Sequence, residues 1–146
     1  MSARAEIADA KFVEGYNCAQ SVLFSFSDQT KLAHGLALQL ACGFGAGMGR
    51  KGEVCGAFTG GLMVLGALFG RGENETSRAT EEVYEKTRIL YARFSALQGS
   101  CLCRELLNGC DLTTPEGQKY FKDNDCLNAI CRPCVRDAVE IVESLL

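Results

Sequence analysis

The stretch GEVCGAFTGGLMVLGALFGRG, residues 52–72, decides the fold because after Cys55 it carries no charge for the next 15 residues. Small residues alternate with large apolar ones, as expected of a helix that is buried on all sides. We therefore predict a central core helix over residues 54–69. Gly56 and Gly60 have the spacing that lets neighbouring helices approach closely. The segment is too short to span a membrane, which needs about 20 apolar residues.

The segments on both sides of this helix are also predicted to be helical. Asn17 is a good N-cap for a helix that opens with Cys18, and apolar residues at four-three spacing over residues 74–98 predict a long amphipathic helix. No segment shows the alternating pattern of a strand, so the predicted fold class is all-α. We expect a compact helical bundle, a single domain over residues 1–146, around the buried glycine-rich helix. Further helices are expected over residues 5–14, 31–41 and 101–109 and from Pro133 onward.

Two connectors are predicted between these helices. Residues 43–52, GFGAGMGRKG, contain a formal G-x-G-x-x-G. Neither the preceding strand nor the acidic residue that a dinucleotide site requires is evident, so we interpret the run as a flexible or tightly turned connector. Residues 111–125 are polar and include Thr-Thr-Pro-Glu-Gly, which predicts a loop.

The charge pattern argues against two classes of partner. The net charge is −3 and the Lys and Arg residues are scattered, so no basic surface for nucleic acid or an anionic membrane is expected. The N-terminal sequence MSARAEIADAKF lacks the basic region and apolar core of a signal peptide, and no apolar run is long enough for a membrane span. These features predict a cytoplasmic protein.

Nine cysteines dominate the candidate chemistry. The cytosol keeps thiols reduced, so metal binding or thiol redox chemistry is expected in place of a structural disulfide framework. An odd number cannot pair completely within one chain. His34 is the only histidine, so any metal site would be mostly thiolate. The cysteines are Cys18, Cys42, Cys55, Cys101, Cys103, Cys110, Cys126, Cys131 and Cys134.

Many of these cysteines fall at predicted helix starts, where a core residue has no reason to concentrate. A helix N-terminus carries partial positive charge and unpaired N–H groups, so it lowers the pKa of a thiol and stabilises the thiolate. We therefore predict that Cys55 is one of several thiolates whose helix ends converge. The cysteines at predicted helix starts are Cys18, Cys55, Cys101, Cys103, Cys131 and Cys134.

Two local patterns point to different chemistry. Cys131-Arg132-Pro133-Cys134 has the C-x-P-C form of redox pairs, although no βαβ pattern surrounds it. With Cys126, the same residues give C-x₄-C-x₂-C, the spacing of plant-type [2Fe–2S] ligands, which needs a fourth cysteine elsewhere. The spacings leave both interpretations open.

Four motifs occur in order along the chain: GYNCAQSVL at 15–23, CGAFTG at 55–60, CLCRELL at 101–107, and a closing Cys131 with VRDAVEIV. Together they resemble the C-GCAxxG-C-C family of redox-active proteins. The resemblance covers nearly the whole chain and implies a small helical protein with cysteine-based activity. It implies that the four cysteines marking the family are Cys18, Cys55, Cys103 and Cys131, with Cys134 as a substitute for the last.

The first functional hypothesis is a thiol-based redox or electron-transfer protein. Cys18, Cys55, Cys103 and Cys131 would meet in a pocket and supply the attacking and resolving thiols. Gly56 and Gly60 would admit a partner or cofactor closely, and helix dipoles with Arg104 or Arg132 would activate the thiolate. The expected partner is a redox protein or a small thiol, and the motifs name no substrate.

The second hypothesis is a metal-binding protein without catalysis of its own. Thiolates would hold an iron–sulfur cluster, with zinc ranked second. The glycine-rich helix could also pack against its copy, which makes a homodimer one expectation. The predicted ligands are Cys55, Cys103, Cys126, Cys131 and Cys134.

Overall fold

The computed structural model describes all 146 residues and confirms the all-α prediction. The only strand-like pairing is one bridge between Val54 and Leu102. None of the helices combines the length and the apolar composition that crossing a membrane requires. The helices are Ala3–Val13, Cys18–Ser25, Ser27–Thr30, His34–Ala41, Gly56–Phe69, Ser77–Gln98, Cys103–Leu106, Pro115–Asp123 and Arg132–Ser144, with a 3₁₀ turn at Cys42–Phe44 and a π-helical turn at Leu127–Cys131.

The glycine-rich helix, Gly56–Phe69, lies at the centre of the bundle as predicted. Its main neighbours are the second helix (Cys18–Ser25), the long helix (Ser77–Gln98) and the C-terminal helix (Arg132–Ser144). Eight of its residues are buried. Its lack of charge is therefore explained by its position, since a buried charge without a partner would be strongly unfavourable.

Glycine is required where neighbouring helices cross this central helix. A Cβ atom at Gly60 would lie 2.8 Å from the carbonyl oxygen of Ala19 on the second helix. On another side, a Cβ atom at Gly61 would lie 3.0 Å from Leu90 and 3.2 Å from Val142. A larger residue at either position would have to push a packed neighbour away.

The second helix begins where the sequence predicts. The Asn17 side chain accepts a hydrogen bond from the Gln20 N–H at 3.0 Å, and the Gln20 side chain accepts one from the Asn17 N–H at 3.0 Å. This reciprocal pair is a capping box, which satisfies two backbone donors at the helix start. The cap fixes Cys18 in the first turn.

The apolar core has two parts. The main core includes the fully buried Phe26 and Phe94. Six helices contribute to it: Ala3–Val13, Cys18–Ser25, His34–Ala41, Gly56–Phe69, Ser77–Gln98 and Arg132–Ser144. The second core is smaller and combines apolar residues with two buried thiols. It consists of Cys103, Leu107, Leu112 and Cys126.

The prediction of a loop over residues 111–125 was wrong, because Pro115–Asp123 is a helix. The Thr114 hydroxyl accepts a hydrogen bond from the Gly117 N–H at 3.0 Å, and Pro115 occupies the first helical position. Threonine caps and proline at that position are both favourable helix starts. The loop was predicted from the polar composition of the segment, without regard to the cap at Thr114 and the proline that follows it.

The C-terminal helix also starts earlier than predicted. The helical chain begins at Cys126, passes through the π-helical turn, and continues into Arg132–Ser144 without a break. In that turn the Arg132 N–H bonds the carbonyl oxygen of Leu127, five residues back. Proline lacks an N–H and clashes within a regular α-helix. The wider turn allows Pro133 to follow inside a continuous helix.

Candidate redox site

Five cysteines line one apolar cavity of about 290 Å³ between the helix starts. Most of the other lining residues are hydrophobic. The cavity therefore brings together the four cysteines of the redox hypothesis and adds a fifth from the metal hypothesis. These cysteines are Cys18, Cys55, Cys103, Cys131 and Cys134.

The segments that carry Cys55 and Cys103 are held side by side by backbone hydrogen bonds. The Cys55 N–H donates to the carbonyl oxygen of Cys101 at 2.8 Å, and the Cys103 N–H donates to that of Glu53 at 2.7 Å. The bridge between Val54 and Leu102 lies between these two bonds. Two helix starts that are distant in sequence therefore open onto the same cavity.

Cys55 is the N-cap residue of the glycine-rich helix, and its side chain is almost fully buried. A hydrogen bond from Cys134 lowers the pKa of Cys55, and the nearby backbone N–H groups of Ala57 and Phe58 lower it further against the opposing effect of burial. The Cys55 side chain makes no side-chain cap hydrogen bond, so its contacts with these N–H groups are looser than such a bond. In contrast, the pKa values of six other cysteines are raised: Cys18, Cys101, Cys103, Cys110, Cys126 and Cys134.

Cys134 is the hydrogen-bond donor to Cys55, and its own pKa is raised by that bond and by burial. Cys18 pairs in the same way with Cys131: their hydrogen bond, followed by burial and the nearby Cys55, raises the pKa of Cys18 well above its ordinary value. The cavity thus contains two thiol pairs, Cys55 with Cys134 and Cys18 with Cys131. All nine cysteines are free thiols.

Cys103 completes the cavity as a protonated thiol. Burial raises the pKa of Cys103 to about 12, and the nearby Cys55 and Cys131 contribute. A thiol with this pKa does not start disulfide exchange at neutral pH, because the thiolate is the form that makes the first attack. Cys103 therefore differs from Cys55 although both lie at helix starts.

The family model described as "Putative redox-active protein (C_GCAxxG_C_C)" matches residues 16–145. The chain belongs to this family. The match includes every cysteine on the cavity wall, and the segment CGAFTG at residues 55–60 forms the start of the glycine-rich helix. No curated protein and no solved structure matches the chain.

Within this C-GCAxxG-C-C protein, the two motif glycines have different surroundings. Gly56 lines the cavity, and a Cβ atom there would lie 3.2 Å from the Cys18 Cβ. Gly60 lies one turn further along, against Ala19. The close packing of the second helix explains why both positions are glycine. A role for them in admitting a cofactor or partner stays a prediction.

Neither arginine considered as a thiolate activator performs that task in the structure. Arg104 donates to Glu53 at 2.6 Å, and Arg132 donates to Asp9 at 2.9 and 2.6 Å. Their guanidinium groups are thus engaged by carboxylates. The expectation that they activate the thiols is corrected accordingly, because the lowered pKa of Cys55 has other causes.

The connector at residues 43–52 closes one side of the cavity as a tight left-handed turn. Positive φ angles extend through five consecutive residues, 46–50, including Ala46 at +55° and Met48 at +69°. Each non-glycine residue in this conformation costs roughly 1–2 kcal/mol. Such strain concentrates at functional sites. Any other residue at position 47 would clash, since a Cβ atom there would lie 2.7 Å from the Cys103 Cβ.

The metal hypothesis receives no support from the arrangement of the cysteines. No group of three or more His, Cys, Asp or Glu side chains has the geometry to hold a metal ion. Cys126 lies in the second core, away from the cavity wall. The predicted ligand set of Cys55, Cys103, Cys126, Cys131 and Cys134 is therefore not favoured.

The predicted catalytic set of Cys18, Cys55, Cys103 and Cys131 does not include Cys134, which also lines the cavity. The resemblance favoured Cys131 as the fourth family cysteine, whereas the structure places Cys134 beside Cys55. The C-x-P-C spacing was the available signal, because residues three apart on a helix share a face. The spacing alone could not show which of the two thiols faces the glycine-rich helix.

Proposed function

We propose that the protein is a thiol–disulfide oxidoreductase in which Cys55 is the attacking thiolate and Cys134 is the resolving thiol. The observation that carries the proposal is the pairing of a thiol of lowered pKa with a protonated neighbour on a cavity wall. The same pair of properties is needed for disulfide exchange: a thiolate that attacks and a second thiol within reach.

The reaction transfers two electrons from the protein to a disulfide substrate, RSSR′. The Cys55 thiolate attacks one sulfur, forms a mixed disulfide with RS and releases R′S⁻. Cys134 then loses its proton and attacks the Cys55 sulfur, which forms the Cys55–Cys134 disulfide and releases RS⁻. The two thiolates that leave take up the protons of the two cysteines, so RSSR′ is reduced to RSH and R′SH.

The cavity favours a small disulfide with apolar substituents. Cys55 and Cys134 are 5% and 1% exposed, so a disulfide on the surface of a folded protein does not reach them in this arrangement. A volume of about 290 Å³ lies at the lower end of ligand-binding cavities. The apolar lining would stabilise such a substrate by removing its hydrocarbon surface from water.

The test is the reaction of the full chain with one equivalent of 2,2′-dipyridyl disulfide, a small aromatic disulfide whose reduction releases coloured thiopyridone. All variants carry Cys42→Ser, which removes an exposed thiol outside the cavity. Acid quenching and peptide mass spectrometry then locate the product. We expect two thiopyridones per protein and a Cys55–Cys134 disulfide.

Three further variants assign the roles. Cys55→Ser should slow thiopyridone release at least about tenfold, because the most acidic thiol is lost. Cys134→Ser should release one thiopyridone and retain a mixed disulfide on Cys55. Cys101→Ala is the matched control, since Cys101 is buried beside Cys55 but does not line the cavity. An unchanged rate in Cys55→Ser would refute the proposal.

A further inference from the structure

Several cysteines that the proposed reaction does not use lie between the cavity and the protein surface. Cys126 is buried in the second core, and Cys110 and Cys131 pack against that core. Cys131 also packs against the main core and lines the cavity. It therefore borders both groups of thiols.

The π-helical turn brings Cys126, Cys131 and Cys134 to the same face of their helix. In a regular α-helix of 3.6 residues per turn, residues five apart point to different sides. A turn with hydrogen bonds to the fifth residue is wider, so residues five apart come close to the same face. The turn at Leu127–Cys131 thereby aligns Cys126 with Cys131, and Cys134 follows three residues later on the same face.

Charge coupling between the thiols supports this proximity. Burial raises the pKa of Cys126, and the neighbouring Cys131 and Cys110 raise it further. Cys131 likewise contributes to the raised pKa of Cys134, after the larger effects of Cys55 and burial. The packing agrees with this order: Cys134 and Cys131 share the cavity wall, and Cys131 and Cys110 both pack against the core that contains Cys126.

The outer end of this series opens into a polar groove. Cys110 is half-buried there, and its thiol donates a hydrogen bond to the Gly117 carbonyl oxygen at 3.0 Å. The groove is lined by three cations and two carboxylates, of which Arg104 and Glu53 form an ion pair. The remaining cations form no ion pair and exceed the remaining carboxylate by one. The two cations are Arg50 and Lys51, and the carboxylate is that of Asp111.

We infer that Cys134, Cys131, Cys126 and Cys110 form a thiol relay that carries a disulfide from the cavity to this groove, where a small anionic thiol reduces it. The inference rests on the proposed function, because the relay begins with the Cys55–Cys134 disulfide. It gives a role to Cys110, Cys126 and Cys134, three of the five cysteines beyond the four implied by the resemblance. It also supplies a route for reduction that does not require opening the cavity.

Each step of the relay is a thiol–disulfide exchange that conserves one disulfide. Cys131 attacks the Cys134 sulfur and releases Cys55, whose lowered pKa makes it a good leaving group. Cys126 then attacks Cys131 and releases Cys134, and Cys110 attacks Cys126 and releases Cys131. Each attacking thiol gives up its proton and each released thiolate takes one up.

An external thiol completes the cycle. One RSH molecule attacks the Cys110 sulfur and releases Cys126, and a second attacks the mixed disulfide and releases Cys110. The sum is the reduction of the cavity disulfide by two RSH molecules, which become RSSR. The unpaired cations of the groove favour a thiol that carries carboxylates, because opposite charges raise its local concentration.

The first test examines the outer pair without the cavity. In Cys131→Ser, which interrupts the relay, diamide oxidation followed by acid quenching and peptide mapping should yield a Cys110–Cys126 disulfide. Cys42→Ser in the same background keeps the exposed thiol from competing. Failure to form this disulfide in protein with native circular dichroism would overturn the relay, whatever happens at Cys55.

The second test measures how fast glutathione, an anionic thiol, reduces the preformed Cys55–Cys134 disulfide. Cys110→Ser and Cys126→Ala should each slow reduction about tenfold or more, whereas Cys101→Ala should not. Lys51→Ala should slow glutathione more than the neutral thiol 2-mercaptoethanol. Unchanged rates in both cysteine variants would overturn the relay. If the wild-type chain forms no Cys55–Cys134 disulfide, the proposed function fails and the relay has no starting disulfide. If that disulfide forms but the first test yields no Cys110–Cys126 disulfide, the relay alone fails.

Discussion

At the scale of single residues, the chemistry of Cys55 depends on its position at a helix start and on one neighbour. The two N–H groups of the first turn and the Cys134 thiol all favour the charged form of Cys55, and together they outweigh burial. Cys103 also opens a helix, but that helix is four residues long and burial dominates. A helix start therefore activates a thiol only when the surrounding donors exceed the cost of desolvation.

The hydrogen bond from Cys134 is the largest cause of the lowered pKa of Cys55, which leads to a specific prediction. Cys134→Ala removes the donor and should raise the pKa of Cys55, whereas Cys134→Ser keeps an O–H donor and should raise it less. The measurement is the rate of iodoacetamide modification of Cys55 against pH, followed on its peptide. The Cys134→Ala profile should move to higher pH, and identical midpoints in wild type and Cys134→Ala would contradict the assignment.

At the scale of elements, the glycine-rich helix and the π-helical turn together form the site. The first brings Cys55 close to the second helix because glycine leaves room for the Ala19 backbone. The second places Cys131 and Cys134 on the side that faces Cys18 and Cys55. π-helical turns inside α-helices are frequently found at functional sites, and this one determines which cysteines meet.

Two glycines of the same helix provide a matched test of this packing. Gly60→Ala should lower the free energy of unfolding by about 1–3 kcal/mol, because its Cβ atom would meet backbone on the second helix. Gly66 is exposed with no atom within 4 Å of an added Cβ, so Gly66→Ala should raise it by roughly 0.5–1 kcal/mol. Urea unfolding measures both, and changes of the same sign would contradict the packing argument.

At the scale of the whole molecule, a cluster of charges joins the first helix to the last. Asp9 is 8% exposed and accepts hydrogen bonds from Arg132, and from Arg136 at 3.3 Å. Arg132 directly follows Cys131, so this ion pair also anchors the π-helical turn against the N-terminal helix. The hydrogen bond from Arg132 lowers the pKa of Asp9, and its charge adds to this effect.

The pH dependence of stability tests this connection. A carboxyl group whose pKa is lowered by folding stabilises the protein above its unfolded pKa, about 3.9, and this contribution is lost as the pH falls through the folded pKa. Asp9→Asn should therefore lower the melting temperature at pH 7 by a few degrees, and the difference from wild type should shrink below about pH 4. Asp28→Asn is the control, since Asp28 pairs with Arg4 at an exposed position. A larger effect at Asp28 than at Asp9 would contradict the argument.

The sequence by itself determined the helical class, the central helix, the capping box at Asn17 and the family. These features depend on local pattern: a run without charge requires burial, and a cap requires the right residues at fixed spacing. The start of the helix Pro115–Asp123 also depends on local pattern, because Thr114 is its N-cap and Pro115 is its first residue. It was missed because polar composition was given more weight than the cap.

Only the tertiary structure decided which thiols meet. The pairing of Cys55 with Cys134 and of Cys18 with Cys131 depends on helix crossings and on one π-helical turn, none of which cysteine spacing contains. The pKa differences between Cys55 and Cys103 have the same origin, because burial and hydrogen-bond donors come from elements distant in sequence. Spacing identified candidate thiols, and packing assigned each one its partner and its protonation state.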